Sequence, residues 1–325
     1  MRLSVHIERW PAIRPFRITG KVWTSFDSIV VDLSDSGAVG HGEALGVYYL
    51  NETVETLLAQ IESVAPAVAG GLDRATLQTL LPAGGARNAL DCALWDLEAK
   101  RTGRSIWALT GMVPKPLQTV FTIGLEAEPE EMARKAAAAM GQSLLKVKLD
   151  GDRPVERLRA IRAARPDARL VVDANQGWTF TQLQAVAPVF AALGVEMIEQ
   201  PLPRGGDAEL AGYRSPVKLC ADESCLDLSE LEAAVGRYQM INIKLDKTGG
   251  LTHALALAQA ARARGLGLMV GCMGGSSLAM APTFVVGCLC DLVDIDGPLL
   301  QKCDRLPGLQ YDGATVSVFG TEVWG

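Results

Sequence analysis

Three segments carry the pattern that decides the fold: LLKVKLD (144–150), RLVVDANQGW (169–178) and VEMIEQPL (195–202). Each opens as a short apolar run and ends on charged or amide side chains. The first two are joined by PVERLRAIRAARP, whose apolar positions recur at helical spacing. The same alternation extends outward in both directions, upstream to TVFTIGL (119–125) and downstream to VKLCAD (217–222), MINIKL (240–245), LGLMVG (266–271) and LVDID (292–296). Helix-patterned PEEMARKAAAAMG, DLSELEAAVGRY and LTHALALAQAARARG fall between them. Runs that are apolar almost throughout suit strands covered on both faces, as in a parallel sheet wrapped by helices. Eight strand candidates, one βα unit apart, predict an α/β protein with a (β/α)8-type barrel. A doubly wound open sheet is the alternative.

Residues 1–113 lack this rhythm. RLSVHIERW and SIVVDLSDSGAVGHGEA read as strands, and the SDSG sequence supplies hairpin turn chemistry. NETVETLLAQIESVAPAVA and ARNALDCALWDLEAKRTG read as helices. We therefore expect an α+β capping domain over 1–113 and a barrel over 114–304, divided near the prolines of MVPKPLQ (112–118). The tail, about 305–325, carries a second hairpin pattern, GLQYDGATVSVFG, and is expected to join the cap.

The 325 residues are 49% hydrophobic, which excludes disorder, and the net charge of −6 argues against a nucleic-acid partner. No charged residue occurs from Gly265 to Cys290, a span long enough for a bilayer. Its glycines and Pro282 favour a strand, a glycine turn and a buried helix instead, so no membrane partner is expected. Seven cysteines without a CxxC pair, and an N-terminus lacking an apolar signal core, predict reduced thiols and a cytoplasmic location.

In such a barrel the C-terminal ends of the strands meet at one mouth, where chemistry is built. The charged residues at those ends are Lys146 and Lys148, Asp173 with Asn175, Glu199, Asp222 with Glu223, Lys244, and Asp294 with Asp296. From 148 through 173, 199 and 222 to 244 the intervals are 25, 26, 23 and 22 residues, so one charge per unit falls at the same phase, on one rim. Asp173, Glu199 and Asp222, on consecutive strands, offer hard oxygen ligands that suit Mg²⁺. Lysines stand on both sides of them. That set fits abstraction of a proton next to a carboxylate, because the resulting enediolate needs a cation. A base on each face would let one lysine remove the proton and the other return it with inversion.

LLKVKLD, VVDANQGW, MIEQPL, CADES and MINIKLDKTGGL resemble the muconate-lactonising subgroup of the enolase superfamily, and DIDGPLL resembles its dipeptide epimerases. The likeness to the L-Ala-D/L-Glu epimerases covers nearly the whole chain, including LPAGGARNALDCALWDLEAKR. It implies a modified, (β/α)7β-like barrel. It also implies a Mg²⁺-dependent epimerase that inverts the α-carbon of a dipeptide's C-terminal residue by 1,1-proton transfer, with a role in peptidoglycan recycling. Carried over to this sequence, it makes Lys148 and Lys244 the acid/base pair and Asp173, Glu199 and Asp222 the metal ligands. Lys146 would contact the substrate carboxylate, and Asn175 and Glu223 would support the ligands from behind. Asp294 and Asp296 would hold the dipeptide's α-ammonium, with Thr122 contacting its peptide group.

The family's arginine for a side-chain carboxylate sits in a capping-domain loop that closes over the mouth; here that segment is PFRITGKVWTSFDS and the position falls on Lys21, a cation without arginine's bidentate geometry. N-acylamino acid racemase, o-succinylbenzoate synthase and muconate cycloisomerase chemistry on the same scaffold is the alternative. Those substrates have no free ammonium for Asp294 and Asp296. A homo-oligomer is compatible with the sequence. Thr248-Gly249-Gly250 reads as a tight turn into a helix, and Cys272 as a thiol lining the pocket.

Overall fold

The computed structural model describes residues 1–325. Three antiparallel strands come first: β1 (Arg2–Ile18), β2 (Lys21–Asp35) and β3 (Ala38–Ala44). The segment expected as a covering loop, PFRITGKVWTSFDS, is instead the end of β1, a turn at Thr19-Gly20 and most of β2. Helices α1 (Val54–Ser63), α2 (Ala65–Ala69), α3 (Arg74–Leu80), α4 (Gly85–Thr102) and α5 (Ile106–Thr110) follow. Ile29, Val31 and Leu33 from one face of β2 pack with Leu57, Leu90 and Leu97 in a core of their own.

After β4 (Leu117–Gln118) the alternation begins: β5 (Phe121–Ile123), α6 (Pro129–Ala138), β6 (Leu144–Lys148), α7 (Pro154–Ala164), β7 (Arg169–Asp173), α8 (Phe180–Ala192) and β8 (Val195–Glu199). It continues through β9 (Lys218–Ala221), α9 (Leu231–Ala234), β10 (Met240–Lys244), α10 (Leu245–Thr248), α11 (Leu251–Ala263), β11 (Gly267–Gly271), α12 (Ser277–Gly287) and β12 (Leu292–Val293). Strands β5 to β12 form one parallel sheet in chain order. A parallel bridge between Thr119 and Val293 joins its two ends, and the Val120 N–H donates to Val293 O at 2.8 Å. The helix expected from DLSELEAAVGRY shrinks to a 3₁₀ turn and the four residues of α9. The short hairpin β13 (Tyr311–Asp312) and β14 (Thr315–Val316) pairs with β4, while Trp324 Nε1–H donates to His41 O at 3.0 Å.

The all-buried patterns of β6 and β10 reflect cover on both faces, by helices outside and by packed side chains inside. Val120, just before β5, with Leu144, Val171, Met197, Cys220, Met240, Met269 and Leu292, one from each of β6 to β12, form a separate apolar cluster. That is one layer of barrel filling, and it makes the floor beneath the mouth.

The helical cap and the barrel meet at the Gly249-Gly250 turn. Arg87 of α4 donates to Thr248 O (2.7 Å) and Gly249 O (3.2 Å), and Asp91 accepts from the Thr252 N–H (2.9 Å). Gly250 has φ +115°, and a Cβ there would lie 2.5 Å from the Asp91 side chain, so both backbone and neighbour require glycine. In return, Asp246 accepts from the N–H groups of Leu45 (3.1 Å) and Gly46 (2.8 Å), fixing the loop that leads to Tyr48 and Tyr49. The charge-free stretch Gly265–Cys290 folds as β11, a glycine turn and α12, and no helix is long and apolar enough to cross a membrane.

Candidate active site

Side chains on a strand alternate between its faces, so residues two beyond the apolar floor also point inward. Two positions on from the eight floor residues stand Thr122, Lys146, Asp173, Glu199, Asp222, Asn242, Gly271 and Asp294. This next layer is almost wholly polar, and it contains all three acids expected as metal ligands. Four beyond the floor, Lys148, Asn175, Lys244 and Asp296 reach the mouth. The inward phase of Lys146 and Lys148, which spacing along one strand leaves undecided, follows from the apolar layer below. Gly271 is small because a Cβ there would lie 2.8 Å from the Asn242 amide.

The register sets Asp173 beside Glu199 and Lys148 beside Asp173. Lys148 Nζ donates to Asp173 Oδ2 at 2.6 Å, and Lys244 Nζ to Asp222 Oδ2 at 2.7 Å. Lys146 Nζ donates to Asp294 Oδ2 at 2.8 Å and lies 2.7 Å from Glu199 Oε2 and 3.2 Å from Asp173 Oδ2. Strands β6 and β10 are four apart in a ring of eight, so Lys148 and Lys244 come from opposite walls. The Thr122 N–H donates to Asp296 Oδ2 at 2.7 Å, and the Asn175 N–H to Asp173 Oδ1 at 2.9 Å. Asn175, Gln176 and Gln200 follow their strands with positive φ, strained backbone at the rim of the site.

Six buried carboxylates (Asp173, Glu199, Asp222, Glu223, Asp294, Asp296) face four buried ammonium groups (Lys146, Lys148, Lys244, Lys247). The excess of two negative charges shows in the titration of individual groups. Burial and the neighbouring Asp173 push Glu199 up to about 7. Burial with Asp222 pushes Glu223 up to about 8, and burial with Asp294 does the same for Asp296. Burial also opposes the charge on Asp222, but Lys244 and Lys247 outweigh it and hold that carboxyl well below its ordinary range. Lys146 is likewise held charged, because Asp294, Glu199 and Asp173 outweigh its burial. Both Glu223 oxygens have no hydrogen-bond partner, and Glu199 Oε2 meets only the Lys146 ammonium. Buried, all-oxygen donors on consecutive strands, with two more carboxyl than ammonium groups and several carboxyls that burial drives toward the protonated form, fit one hard divalent cation that would let them ionise.

The expected residues come together with one exception. Thr122, Lys146, Lys148, Asn175, Asp222, Glu223, Lys244, Asp294 and Asp296 all line one cavity beneath the cap. Asp173 and Glu199 lie just below its surface, fully buried. Lys21 does not line it. Its ammonium rests 4.5 Å from the centre of the Tyr48 ring and 5.1 Å from that of Trp23, in an adjoining cleft behind those rings.

Spacing also missed several contributors. Lys247 is fully buried and donates to Asp222 Oδ1 (2.8 Å), Asp222 O (2.6 Å), Asn242 O (2.7 Å) and Cys225 O (3.0 Å). It sits on the short α10, outside the strand-end phase. Asn242, which donates to Glu199 Oε1 at 2.8 Å, is legible as the residue two before Lys244 on the same face. Phe16, Trp23, Tyr48 and Tyr49 form the roof; Trp23, two residues after Lys21, is legible as an apolar wall or as core, and nothing in the local sequence marks the other three.

Comparisons with known proteins agree with this geometry. Residues 2–111 match the mandelate racemase / muconate lactonizing enzyme N-terminal domain, and residues 129–297 the enolase C-terminal domain-like family. The chain is 45% identical over 312 residues to the L-Ala-D/L-Glu epimerase of Escherichia coli K12, covering 95% of this chain and 97% of that one. It is 40% identical to an N-acetyl-D-glutamate racemase from Pseudoalteromonas, covering 91% of this chain and 95% of the relative. A crystal structure of an enolase family member from Agrobacterium tumefaciens, with bound sodium and L-Ala-L-Glu, superposes with a TM-score of 0.97 at 44% identity and covers 99% of both chains.

Proposed function

The chain belongs to the mandelate racemase / muconate lactonizing enzyme family of the enolase superfamily, and from that premise we propose that it is a Mg²⁺-dependent dipeptide epimerase. The C-terminal residue of an L-Ala-D/L-Glu-like dipeptide is inverted at its α-carbon. The observation that carries this reading is the polar layer above the apolar floor: three acids on consecutive strands, with Lys148 and Lys244 on opposite walls. We read 1–113 with the tail from about 305 as the cap and 114–304 as the barrel. The seven free cysteines accord with a cytoplasmic enzyme.

Asp173, Glu199 and Asp222 would hold Mg²⁺, with Asn175 and Glu223 supporting them; bound there, it supplies positive charge to the substrate carboxylate as the α-proton leaves. Lys146 adds a second cation on that side. One of Lys148 and Lys244 takes the α-proton, and the other returns a proton to the opposite face. Asp294 and Asp296 receive the substrate's ammonium, and the Thr122 N–H fixes the orientation of Asp296. The dipeptide's side-chain carboxylate is assigned to Lys21, which must leave the Trp23 and Tyr48 rings to meet it.

The test is incubation with L-Ala-L-Glu in D₂O. Deuterium should enter the C-terminal α-position as the L,D-isomer forms, cease when EDTA removes the metal, and resume with Mg²⁺. No exchange across a broad dipeptide set would sink the proposal.

The Pseudoalteromonas relative favours a second reading, racemisation of an N-acylated amino acid. Asp296→Asn separates the two, because a hydrogen bond to a charged partner is worth about 1.5–3 kcal/mol, or roughly ten- to a hundredfold. That loss in kcat/KM is expected for L-Ala-L-Glu and not for N-acetylglutamate. Equal losses on both would remove the ammonium role.

A further inference from the structure

Cys272, which follows the last residue of β11, has no part in the proton transfer or in holding the dipeptide as assigned above. It lines the same cavity as Asp294 and Asp296, and one ligand atom from each of the three lies within 4.8 Å of the others. Asp294 is 5% exposed; its Oδ2 is taken by Lys146, and its Oδ1 has no hydrogen-bond partner. A buried carboxylate oxygen left bare is costly until a cation or donor meets it.

The two carboxylates alone account for an ammonium ligand, since a thiol is only a weak acceptor. A sulfur beside two carboxylates is a different donor set. Mg²⁺ prefers oxygen throughout, whereas Zn²⁺ and Cd²⁺ accept thiolate with carboxylate and leave a fourth position for water. This trio follows β11 and β12, whereas the all-oxygen ligands end β7 and β8 and follow β9.

We propose that Cys272, Asp294 and Asp296 form a second cation site, selective for Zn²⁺ or Cd²⁺ over Mg²⁺, whose occupation closes the enzyme to its substrate. On binding, the Cys272 S–H bond breaks, its proton leaves to buffer, and the freed sulfur electron pair forms the metal–sulfur bond. No oxidation state changes. Competition with substrate follows because the same two carboxylates receive the ammonium, and that clause alone rests on the epimerase reading.

The test is a Cd²⁺ titration of the full-length protein saturated with Mg²⁺, in a Cys303→Ser background that removes the exposed thiol. The ultraviolet charge-transfer band of cadmium–thiolate is the readout. One equivalent should saturate the band, which should vanish in Cys272→Ser and Cys272→Ala. Asp294→Asn should weaken the affinity about tenfold or more. An undiminished band in both Cys272 variants, or a site lost as Mg²⁺ is raised, would overturn the proposal. Rising L-Ala-L-Glu should displace the Cd²⁺. A Cys272-dependent band that the dipeptide leaves unchanged would uphold the metal site and reject the shared ammonium position.

Discussion

Replacing either Lys148 or Lys244 with alanine is expected to lower epimerisation of L-Ala-L-Glu by about 10²–10⁴-fold, since each lysine carries one of two obligatory proton transfers. The two variants should fail differently. With a lysine on only one face, the enzyme can still take and return a proton on that face, so each variant should exchange the α-proton of one stereoisomer and not the other. The two variants should retain opposite isomers. Mass spectrometry of the L,L- and L,D-dipeptides after incubation in D₂O reads this directly. Full epimerisation by either variant, or retention of the same isomer by both, would rule out a two-base mechanism. The geometry behind the expectation is the four-strand separation of β6 and β10, which sets the two ammonium groups on facing walls.

Lys247→Met should produce the largest loss of stability. Lys247 is enclosed, and its three N–H groups, shared among four acceptors, tie Asp222 to the backbone of β10 and of the loop after β9. Methionine fills a similar volume but leaves Asp222 with Lys244 as its one remaining cation and removes the ammonium from three carbonyl oxygens, of which Asp222 O keeps the Cys225 N–H as a donor. Breaking a buried pair by removing one partner costs about 3–5 kcal/mol. In a protein of this size that corresponds to a fall in Tm of roughly 4–7 °C. The site then carries three excess negative charges instead of two, so Mg²⁺ should raise the Tm of the variant more than that of the wild type. Differential scanning calorimetry with and without Mg²⁺ checks both parts. A Tm within about 2 °C of the wild type would show that Lys247 is dispensable to the site.

Lys247 also marks where reading a linear sequence stops. Strand-end residues were legible because a βα repeat returns the chain to the mouth once per unit, so ligands recur at nearly constant intervals: Asp173, Glu199, Asp222. Lys247 and the aromatic roof have no such period. Lys247 reaches the site because α10 turns back directly after β10. Tyr48 and Tyr49 reach it because Asp246, some 200 positions away, holds the backbone of Leu45 and Gly46. The shrunken α9 and the hairpin in place of a covering loop were missed for a related reason. Helical periodicity in DLSELEAAVGRY and turn residues in PFRITGKVWTSFDS report local preference, and packing decides how much of it is used.

By itself the sequence determined the class of fold, the two-part organisation, and the identity of the acids and lysines at the strand ends. These depend on burial period and on the energetic cost of placing charge in an apolar strand, both of which are local. Only the tertiary structure decided which face of each strand looks inward. It also set Lys148 opposite Lys244, left the site two negative charges in excess, and held Lys21 behind an aromatic wall while Cys272 met Asp294 and Asp296. The physical reason is closure: a strand's phase acquires a direction only when neighbouring strands curl into a ring, with one apolar residue from each filling the floor and the next layer having nowhere else to point.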